Sequence, residues 1–334
     1  MKVLIHLEVF HDQTAWIDLF KFLDLFLEAR HVWDLSDSEA IEQSPWLLHA
    51  PDSIYTVKAT ESYEACLKQW FKSEPASNLQ SLRISLKEDA SSSVHTLASG
   101  LQVLTQPAWV VVENSQSDGA FLKAISAARQ PERERVSTAF QKGWLQLRHA
   151  GGGDELMKRV SELVDTKHIP ERILVLVDSD RYCPGPDSEK ISRLRKDCEK
   201  SKVGLVVLSK REIENYLPLR LLEDYANDPP RKRLYAAFAQ LSQTQRDFFD
   251  IKNGFRSKDG VAGKTHIPEA HGTLFDSLPP GVDLADLSVG FGKHAWELFN
   301  KERITRDEIE ALYSDKPQDV SEIDALLDQI EGML

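Results

Sequence analysis

Two short apolar runs constrain the fold of this chain more than any other feature. Ala108–Val112 (AWVVV) and Ile173–Val177 (ILVLV) are uninterrupted and rich in β-branched residues, a pattern typical of strands buried on both faces. Two further strand candidates lie at 144–147 and 203–208, and apolar residues at helical spacing follow the strands. Strand and helix therefore alternate four times in about 120 residues, which predicts an α/β fold with a parallel sheet, right-handed crossovers and flanking helices.

The segments on either side of this core predict two further parts. In the first hundred residues we expect strands over 2–10, 53–59 and 81–86 and helices over 14–29 and 62–71. Later in the chain we expect a helix that a capping box opens at 209–212, a helix over 234–249, a loop-rich stretch over 252–293, and amphipathic helices near 305–313 and 319–331. The predicted domains are an N-terminal α/β domain of unknown role (1–105), a central α/β domain (106–225) and a mainly helical C-terminal region (226–334).

Composition limits the classes of function and the compartment. Lys and Arg total 41 against 53 Asp and Glu, a formal charge of −12, which argues against coating nucleic acid by bulk attraction but leaves a local phosphate-binding site open. No apolar run approaches the ~20 residues that span a bilayer, so we expect no membrane association. The first residues read as a strand and not as a signal peptide. With only three cysteines, we expect a cytoplasmic protein with reduced thiols.

Acidic residues gather where ligands bind in open parallel sheets, outside the carboxyl ends of the strands. Glu113 ends the first buried strand, Asp178 and Asp180 end the third, Glu214 follows the fourth, and Asp118 opens the helix after the first. A regular strand would point the two aspartates at positions 178 and 180 to the same face. Such crowded carboxylates repel one another unless a cation neutralises them, and hard oxygen ligands suit Mg²⁺ or Mn²⁺. The sequence therefore predicts a metal site, although Asp118 alone could simply be a helix N-cap.

The same residues resemble the Toprim domain, which topoisomerases, bacterial primases and a class of nucleases share. The likeness is carried by Glu113 closing one hydrophobic strand, Asp178-Ser-Asp180 closing a later one, and a glycine turn at 151–153 between them. The segments 113–122 (ENSQSDGAFL) and 209–218 (SKREIENYLP) are similar to the OLD (overcoming lysogenization defect) branch of Toprim nucleases. Many members of that branch act in phage defence. The resemblance covers about residues 108–222, so it implies a Toprim-like sheet for the central domain.

What the resemblance implies is a metal-dependent endonuclease that cleaves DNA or RNA by a two-metal mechanism, as a regulated defence or toxin effector. Glu113, Asp178 and Asp180 would be catalytic and hold the ions, with Asp118 and Glu214 completing the metal ligands. Relatives also use a downstream lysine to stabilise developing charge, for which Lys252 is the first candidate and Lys258 and Lys264 are alternatives. The implied partners are a DNA or tRNA substrate, a separate ATPase or regulatory subunit, and a second copy of the chain.

Two other functions stay open on the residues alone. An aspartate-nucleophile phosphatase is one, because Asp178-Ser-Asp180 after a strand also resembles the HAD motif, although that motif has Thr or Val where this chain has Tyr182. A non-catalytic Toprim-fold adaptor is the other, and it would use the N-terminal domain and the 319–331 helix as contact surfaces. We expect no ATP binding in cis, because the phosphate-loop pattern ending at Gly263-Lys264-Thr265 lacks its first glycine.

Overall fold

The described residues form two parallel four-stranded sheets. A computed structural model describes residues 1–48, 54–72, 81–89, 94–152, 154–165, 172–255, 267, 269–301, 303–313 and 322–334. Helices flank both sheets. The α/β architecture predicted from the alternating pattern is therefore confirmed. Within the described ranges, no helix is both long enough and apolar enough to cross a bilayer.

The first sheet has the strand order β2-β1-β3-β4, with every neighbouring pair parallel. Its strands are β1 (Lys2–Ile5), β2 (Val32–Trp33), β3 (Ser81–Ile84) and β4 (Val94–His95). Its helices are α1 (Leu7–His11), α2 (Trp16–Leu27), α3 (Ser38–Glu42), α4 (Pro45–Leu48), α5 (Ile54–Lys72) and α6 (Leu97–Thr105). These elements share one apolar core that is rich in aromatic rings, so residues up to about 105 pack as one unit.

Two predictions in this part of the chain are wrong. The expected strand at 53–59 is wrong, because residues 54–59 are the beginning of α5, in which Ala59, Tyr63 and Cys66 at helical spacing are all buried against the core. The expected strand at 2–10 ends at Ile5. The chain then turns into α1, which buries Val9 and Phe10. In both segments the contacts with the core decide the conformation against the local β-type pattern.

The second sheet has the order β6-β5-β7-β8, again all parallel. Its strands are β5 (Ala108–Val112), β6 (Leu145–His149), β7 (Ile173–Val177) and β8 (Gly204–Val207), and its helices are α7 (Ser117–Ala128), α8 (Glu134–Gln141), α9 (Asp154–Asp165) and α10 (Glu189–Ser201). All five residues of β7 are buried, as expected for a central strand. The chain runs from β5 to β6 on one side and then crosses to β7 on the other, so the strand order reverses between β5 and β7.

The C-terminal region is helical and packs on the second sheet. Its helices are α11 (Leu219–Tyr225), α12 (Pro229–Phe238), α13 (Gln243–Phe248), α14 (Leu298–Lys301), α15 (Arg306–Ala311) and α16 (Glu322–Met333). Leu326 and Ile330 of α16 share one core with Val110 and Leu174 of the sheet. Regions 106–225 and 226–334 therefore share one core.

Two predictions after the sheet are wrong. The single helix expected over 234–249 is two, α12 and α13, and Asp228 and Ser242 cap their N-termini. No helix opens at 209–212. The chain there forms a short 3₁₀ turn, Ile213–Tyr216, in which Glu212 and Asn215 form the capping pair. This turn places acidic residues near the ends of β5 and β7.

Candidate active site

The carboxyl ends of β5 and β7 lie side by side, because Val112 is paired with Leu176 in the sheet register. Glu113 directly follows β5 and Asp178 directly follows β7. The strand order reverses between these two strands, and in open α/β sheets such a switch point opens a crevice at the carboxyl edge where ligands bind. The structure therefore brings the residues predicted from separate parts of the sequence to one place.

Four carboxylates form an inner group in this crevice. We call Asp118, Asp178, Glu212 and Glu214 the inner acids. Asp178 Oδ1 accepts a hydrogen bond from the Ile213 backbone N–H at 3.0 Å, which ties the end of β7 to the 3₁₀ turn. Burial raises the pKa of Asp178 well above its usual value, and the negative charges of Asp118, Glu214 and Glu212 raise it further. The inner acids therefore repel one another in a poorly solvated place.

Asp118 belongs to this group and is not the helix cap that its position also suggested. It lies in the first turn of α7, where Oδ2 accepts from the Asn114 backbone N–H at 3.0 Å and Oδ1 accepts from the Ser117 hydroxyl at 3.0 Å. Burial raises the pKa of Asp118 despite these hydrogen bonds, and the charge of Glu113 adds to the increase. Its side chain stabilises the loop after β5 and remains within electrostatic range of the other acids.

Lys252 neutralises part of the inner group. Its Nζ lies 3.1 Å from Oε2 of Glu212 and 3.1 Å from Oε2 of Glu214. Burial alone would lower the pKa of Lys252, but the carboxylates of Glu212, Glu214 and Asp178 outweigh it and raise the pKa. Glu214 has no exposed side-chain surface, and burial raises its pKa although Lys252 opposes the increase. One ammonium thus faces several carboxylates, so the inner group keeps an excess of negative charge.

Two further carboxylates form an outer group nearer the solvent. We call Glu113 and Asp180 the outer acids. Lys190 at the start of α10 connects them, with Nζ 3.1 Å from Glu113 Oε1 and 3.7 Å from Asp180 Oδ2. Burial lowers the pKa of Lys190, but its two carboxylate partners outweigh this and raise it. The charge of Glu113, an outer acid, also raises the pKa of Asp118, an inner acid. The outer and inner acids therefore belong to one electrostatic site.

The expectation that Asp178 and Asp180 share one face is wrong. β7 ends at Val177, and Asp180 has a left-handed backbone conformation with φ +52°. Its backbone N–H donates to Arg211 O at 3.0 Å. The side chain of Asp180 is 57% exposed and pairs with Lys190, whereas Asp178 faces the inner acids. Non-glycine residues adopt this conformation uncommonly, and here it distributes the two aspartates between the two groups.

Arg211 holds the two loops of the site together. Its guanidinium lies over the Tyr182 ring, 4.1 Å from the centroid, and donates to the Arg181 backbone carbonyl at 3.2 Å. It also pairs with Glu212 Oε1 at 3.3 Å and with Asp250 Oδ2 at 3.4 Å. Because Arg211 contacts the loop after β7, the 3₁₀ turn and the segment before Lys252, it fixes the relative positions of the inner and outer acids.

The donor chemistry of this site fits a hard divalent cation, although no ready coordination sphere is formed. Among the described residues, no group of three or more His, Cys, Asp or Glu side chains is placed to hold a metal ion. The lysine ammoniums occupy positions between the carboxylates instead. However, Oε1 of Glu214 is buried without a hydrogen-bond partner, and carboxylate oxygens with raised pKa values are the groups whose repulsion a divalent cation relieves.

The sequence missed two members of the site. Glu212 was expected only as part of a helix cap, and Lys190 was not predicted as a site residue. The spacing of Glu212 and Glu214 repeats that of Asp178 and Asp180, with one residue between two acids, which was the available signal. The alternative lysines at 258 and 264 lie outside the described residues. Gly151, in the expected glycine turn after β6, has a positive φ of +71°.

The fold and the geometry define an α/β protein with a carboxylate-rich, lysine-neutralised site at the switch point of a parallel sheet. Comparison with known proteins adds no relative: no protein-family model, no curated protein and no solved structure matches this chain.

Proposed function

We propose that this protein is a metal-dependent endonuclease of the Toprim type, resembling the OLD branch, which hydrolyses phosphodiester bonds in DNA or RNA. The observation that supports it best is the concentration of six carboxylates from three separate chain segments at one switch point, where the described cations that pair with them are Lys252, Lys190 and Arg211. In an ion-pair network with a purely structural role, positive and negative charges would balance. In this site the carboxylates outnumber the cationic side chains that pair with them. Strongly perturbed acids in a crevice are typical of functional sites.

Mg²⁺ or Mn²⁺ held by such acids would supply an activated water and would stabilise the leaving oxygen. The candidate ligands are Glu113, Asp118, Asp178, Asp180 and Glu214, to which we now add Glu212. Asp178 is placed by the bond from the Ile213 backbone N–H, so one of its oxygens is fixed and the other is free to point into the crevice. The left-handed turn at Asp180 gives the outer acids a separate position. Inner and outer groups would then serve two neighbouring ions.

In this proposal, Lys252 and Lys190 bind the phosphate of the substrate, and Glu113 exchanges a proton with the reacting oxygens. When cations neutralise the acids, the ammoniums of Lys252 and Lys190 become available to the phosphate of the substrate, where a positive charge stabilises the transition state. Glu113 is half-exposed at the mouth of the crevice and can exchange a proton with the reacting oxygens. The net charge of −12 opposes non-specific binding of nucleic acid, which leaves recruitment to this local site or to a partner.

The biological setting follows only from the resemblance. We propose a defence or toxin effector that acts in the cytoplasm on DNA or tRNA and is controlled by a separate ATPase or regulatory subunit, with self-association as a further form of control. Purified protein with and without candidate ATPase partners, assayed by size-exclusion chromatography with light scattering, would show whether such an assembly exists.

The enzymatic proposal is tested by nicking of plasmid DNA and cleavage of tRNA in the presence of Mg²⁺ or Mn²⁺. We expect Asp178→Asn and Glu113→Gln to lower the rate by 100-fold or more, a loss on the order of the 2.7 kcal/mol that such a factor represents. Glu199→Gln, on the exposed surface of α10, is the matched control and should keep full activity. Circular dichroism must show that all variants are folded.

Three results would contradict this proposal. Equal cleavage by the wild type and both acid variants would remove the assigned site. Hydrolysis of a generic phosphomonoester that needs Asp178, with no cleavage of either nucleic acid, would favour the phosphatase alternative. Absence of any Mn²⁺ binding by calorimetry would favour the non-catalytic adaptor.

A further inference from the structure

The 3₁₀ turn Ile213–Tyr216 sets the position of three of the four inner acids. Glu212 directly precedes the turn and Glu214 lies within it. The backbone N–H of Ile213 donates to Asp178 Oδ1 at 3.0 Å, so the turn also fixes the aspartate at the end of β7. A shift of the turn would therefore move these acids relative to one another. The contacts that hold this turn in place consequently determine the geometry of the site.

One carboxylate from the C-terminal helix contacts the turn and the segment just before it. Glu322 is the first residue of α16. It accepts hydrogen bonds from the backbone N–H of Ser209 at Oε1 and from the Ser209 hydroxyl at Oε2, the second at 2.7 Å. Oε2 also accepts a hydrogen bond from the hydroxyl of Tyr216, the last residue of the turn. Glu322 therefore joins both ends of the 209–216 segment.

Tyr216 is placed to pass this contact on to the turn. Its side chain is buried, and its ring packs against that of Phe121 with the centroids 5.3 Å apart. Burial raises the pKa of Tyr216 well above its ordinary value, and the charge of Glu322 raises it further, so the hydroxyl stays protonated and donates. The same hydroxyl accepts from the Lys210 backbone N–H at 3.3 Å. The Tyr216 side chain is thus tied to α16, to α7 and to the segment that opens the turn.

A second set of contacts supports the same turn without α16. Lys210 Nζ lies 2.8 Å from Asp247 Oδ1 and donates to the Asn215 backbone carbonyl at 3.3 Å. Nδ2 of Asn215 donates to the Arg246 backbone carbonyl at 2.7 Å. Because these bonds do not involve Glu322, we expect the turn to stay folded but to be held less tightly when the hydrogen bonds of Glu322 are lost.

The helix α16 is itself anchored by other residues. Arg133 pairs with Asp328 at 2.7 Å and with Glu331 at 2.8 Å, and Leu327 is among the buried residues on the apolar side of the helix. The docking of α16 therefore does not depend on Glu322. Its hydrogen bonds are directed at the segment that carries the inner acids.

We propose that Glu322 is a positioning residue of the carboxylate site, which acts through Tyr216 and Ser209 on the turn that carries the inner acids. The inference rests on the proposed metal-dependent function, because the relative positions of the acids matter when they bind a cation together. Replacing residues that orient metal ligands from outside the coordination shell typically changes metal affinity by about 10- to 100-fold. Glutamine has nearly the size of glutamate, but one of its two terminal atoms is a donor, so it cannot accept hydrogen bonds at both positions that Glu322 uses.

Hydrogen exchange of the metal-free protein, followed by mass spectrometry, tests whether Glu322 holds the turn. In Glu322→Gln we expect the amides of 209–217 to exchange about tenfold faster than in the wild type, and those of β7 to be unchanged. Asp328→Asn is the matched control. It removes an ion pair from the same helix while Arg133 keeps Glu331, so it should exchange as the wild type does.

Calorimetric titration with Mn²⁺ tests whether the held turn matters to the site. We expect Glu322→Gln to bind Mn²⁺ about tenfold more weakly than the wild type, and Asp328→Asn to bind it equally well. Tyr216→Phe should show a similar loss, because it removes the hydroxyl through which Glu322 acts. The double variant of Glu322→Gln and Tyr216→Phe should bind no more weakly than the weaker single variant, since both changes remove the same contact.

Four outcomes would overturn this proposal. Unchanged exchange of 209–217 in Glu322→Gln would show that Glu322 does not hold the turn. A lower melting temperature with unchanged Mn²⁺ affinity would assign Glu322 a structural role only. If the wild type itself binds no Mn²⁺, the proposed function fails and the role of Glu322 fails with it, which distinguishes that failure from the other two. If Glu322→Gln is unfolded by circular dichroism, Ser209→Ala, which removes one hydroxyl at an exposed position, replaces it, and unchanged Mn²⁺ affinity in that variant would contradict the proposal.

Discussion

The ammonium of Lys252 lies 3.1 Å from Oε2 of Glu214, a carboxylate with no exposed surface. This ion pair joins the C-terminal region to the 3₁₀ turn after β8, and so connects the two parts of the chain that build the inner side of the site. A buried carboxylate that loses such a partner keeps the full cost of its burial. Lys252 therefore stabilises the carboxylate site as well as being a candidate catalytic group.

Replacing Lys252 by methionine should destabilise the protein in the absence of divalent ions. Methionine preserves most of the side-chain volume but leaves Glu212 and Glu214 without their counter-charge, and we expect a loss of about 2–3 kcal/mol in the free energy of unfolding. Lys301→Met is the matched control. Its partner Glu297 is a surface residue, so the loss of this pair should leave the free energy of unfolding almost unchanged. Urea denaturation measures both.

Adding Mn²⁺ to the wild type and to Lys252→Met tests whether the inner acids bind a divalent cation. If the acids bind a divalent cation, it replaces the lost ammonium, and the melting temperature of Lys252→Met should rise more with Mn²⁺ than that of the wild type. An identical increase in both proteins would mean that the inner acids do not hold the ion.

Removal of Lys190 should strengthen metal binding. Its ammonium competes with a cation for Glu113 and Asp180, but the ion pairs are largely exposed and therefore weak. For Lys190→Ala we expect a Mn²⁺ affinity about two- to fivefold higher, measured by calorimetry, with little change in stability. Lys196→Ala, exposed on the same helix, corrects for the general loss of positive charge. Equal affinities in the two variants would refute direct competition.

The stability of the metal-free protein should depend on Asp178 in a pH-dependent way. Burial raises the pKa of Asp178 in the folded state above its ordinary value of 3.8, so the folded protein binds this proton more readily than the unfolded chain. The destabilising effect is complete above the folded-state pKa and disappears as the pH falls toward 3.8. Asp178→Asn mimics the protonated side chain, so it should be more stable than the wild type at pH 7.5.

Denaturant titrations at pH 7.5 and pH 5 measure this effect as a difference between the two proteins. The advantage of Asp178→Asn should shrink at the lower pH, because protonation gives the wild type the same relief. A constant difference, or a wild type that is more stable at pH 7.5, would mean that the neighbouring acids do not disfavour the charged form of Asp178.

Gly290 controls the position of Lys252 through backbone contact. A Cβ added at Gly290 would lie 2.3 Å from the backbone C and O of Lys252, a distance at which the Lys252 segment must move. Gly290→Ala should therefore cost about 2–3 kcal/mol of stability and lower any metal-dependent cleavage, although Gly290 carries no functional group. Gly185→Ala, where a Cβ meets nothing within 4 Å, should be neutral. Normal activity of Gly290→Ala would show that the position of Lys252 does not matter.

The sequence predicted the second sheet better than the first, for a physical reason. β5 and β7 are continuous apolar runs that only a doubly covered strand can bury, and both have the expected bounds. The segment 53–59 has alternating, β-branched residues, but its residues 54–59 form the start of α5. The burial of Ala59 and Tyr63 along a helix outweighs a period-2 pattern of only seven residues. Short amphipathic stretches take the conformation that their neighbours favour.

From the chain alone, the chemistry at the ends of the strands could be foreseen: acids after β5 and β7 must meet, because parallel strands end at one edge. Which acids share a charge environment could not be foreseen. The grouping of the acids depends on the left-handed turn at Asp180 and on Lys252. Lys252 lies far along the chain from Asp178, and only the tertiary structure brings it to the acids. The local sequence pattern determines the strands. The position of each lysine ammonium is decided by long-range packing, because the residues next to the lysine in the sequence do not determine which carboxylates it contacts.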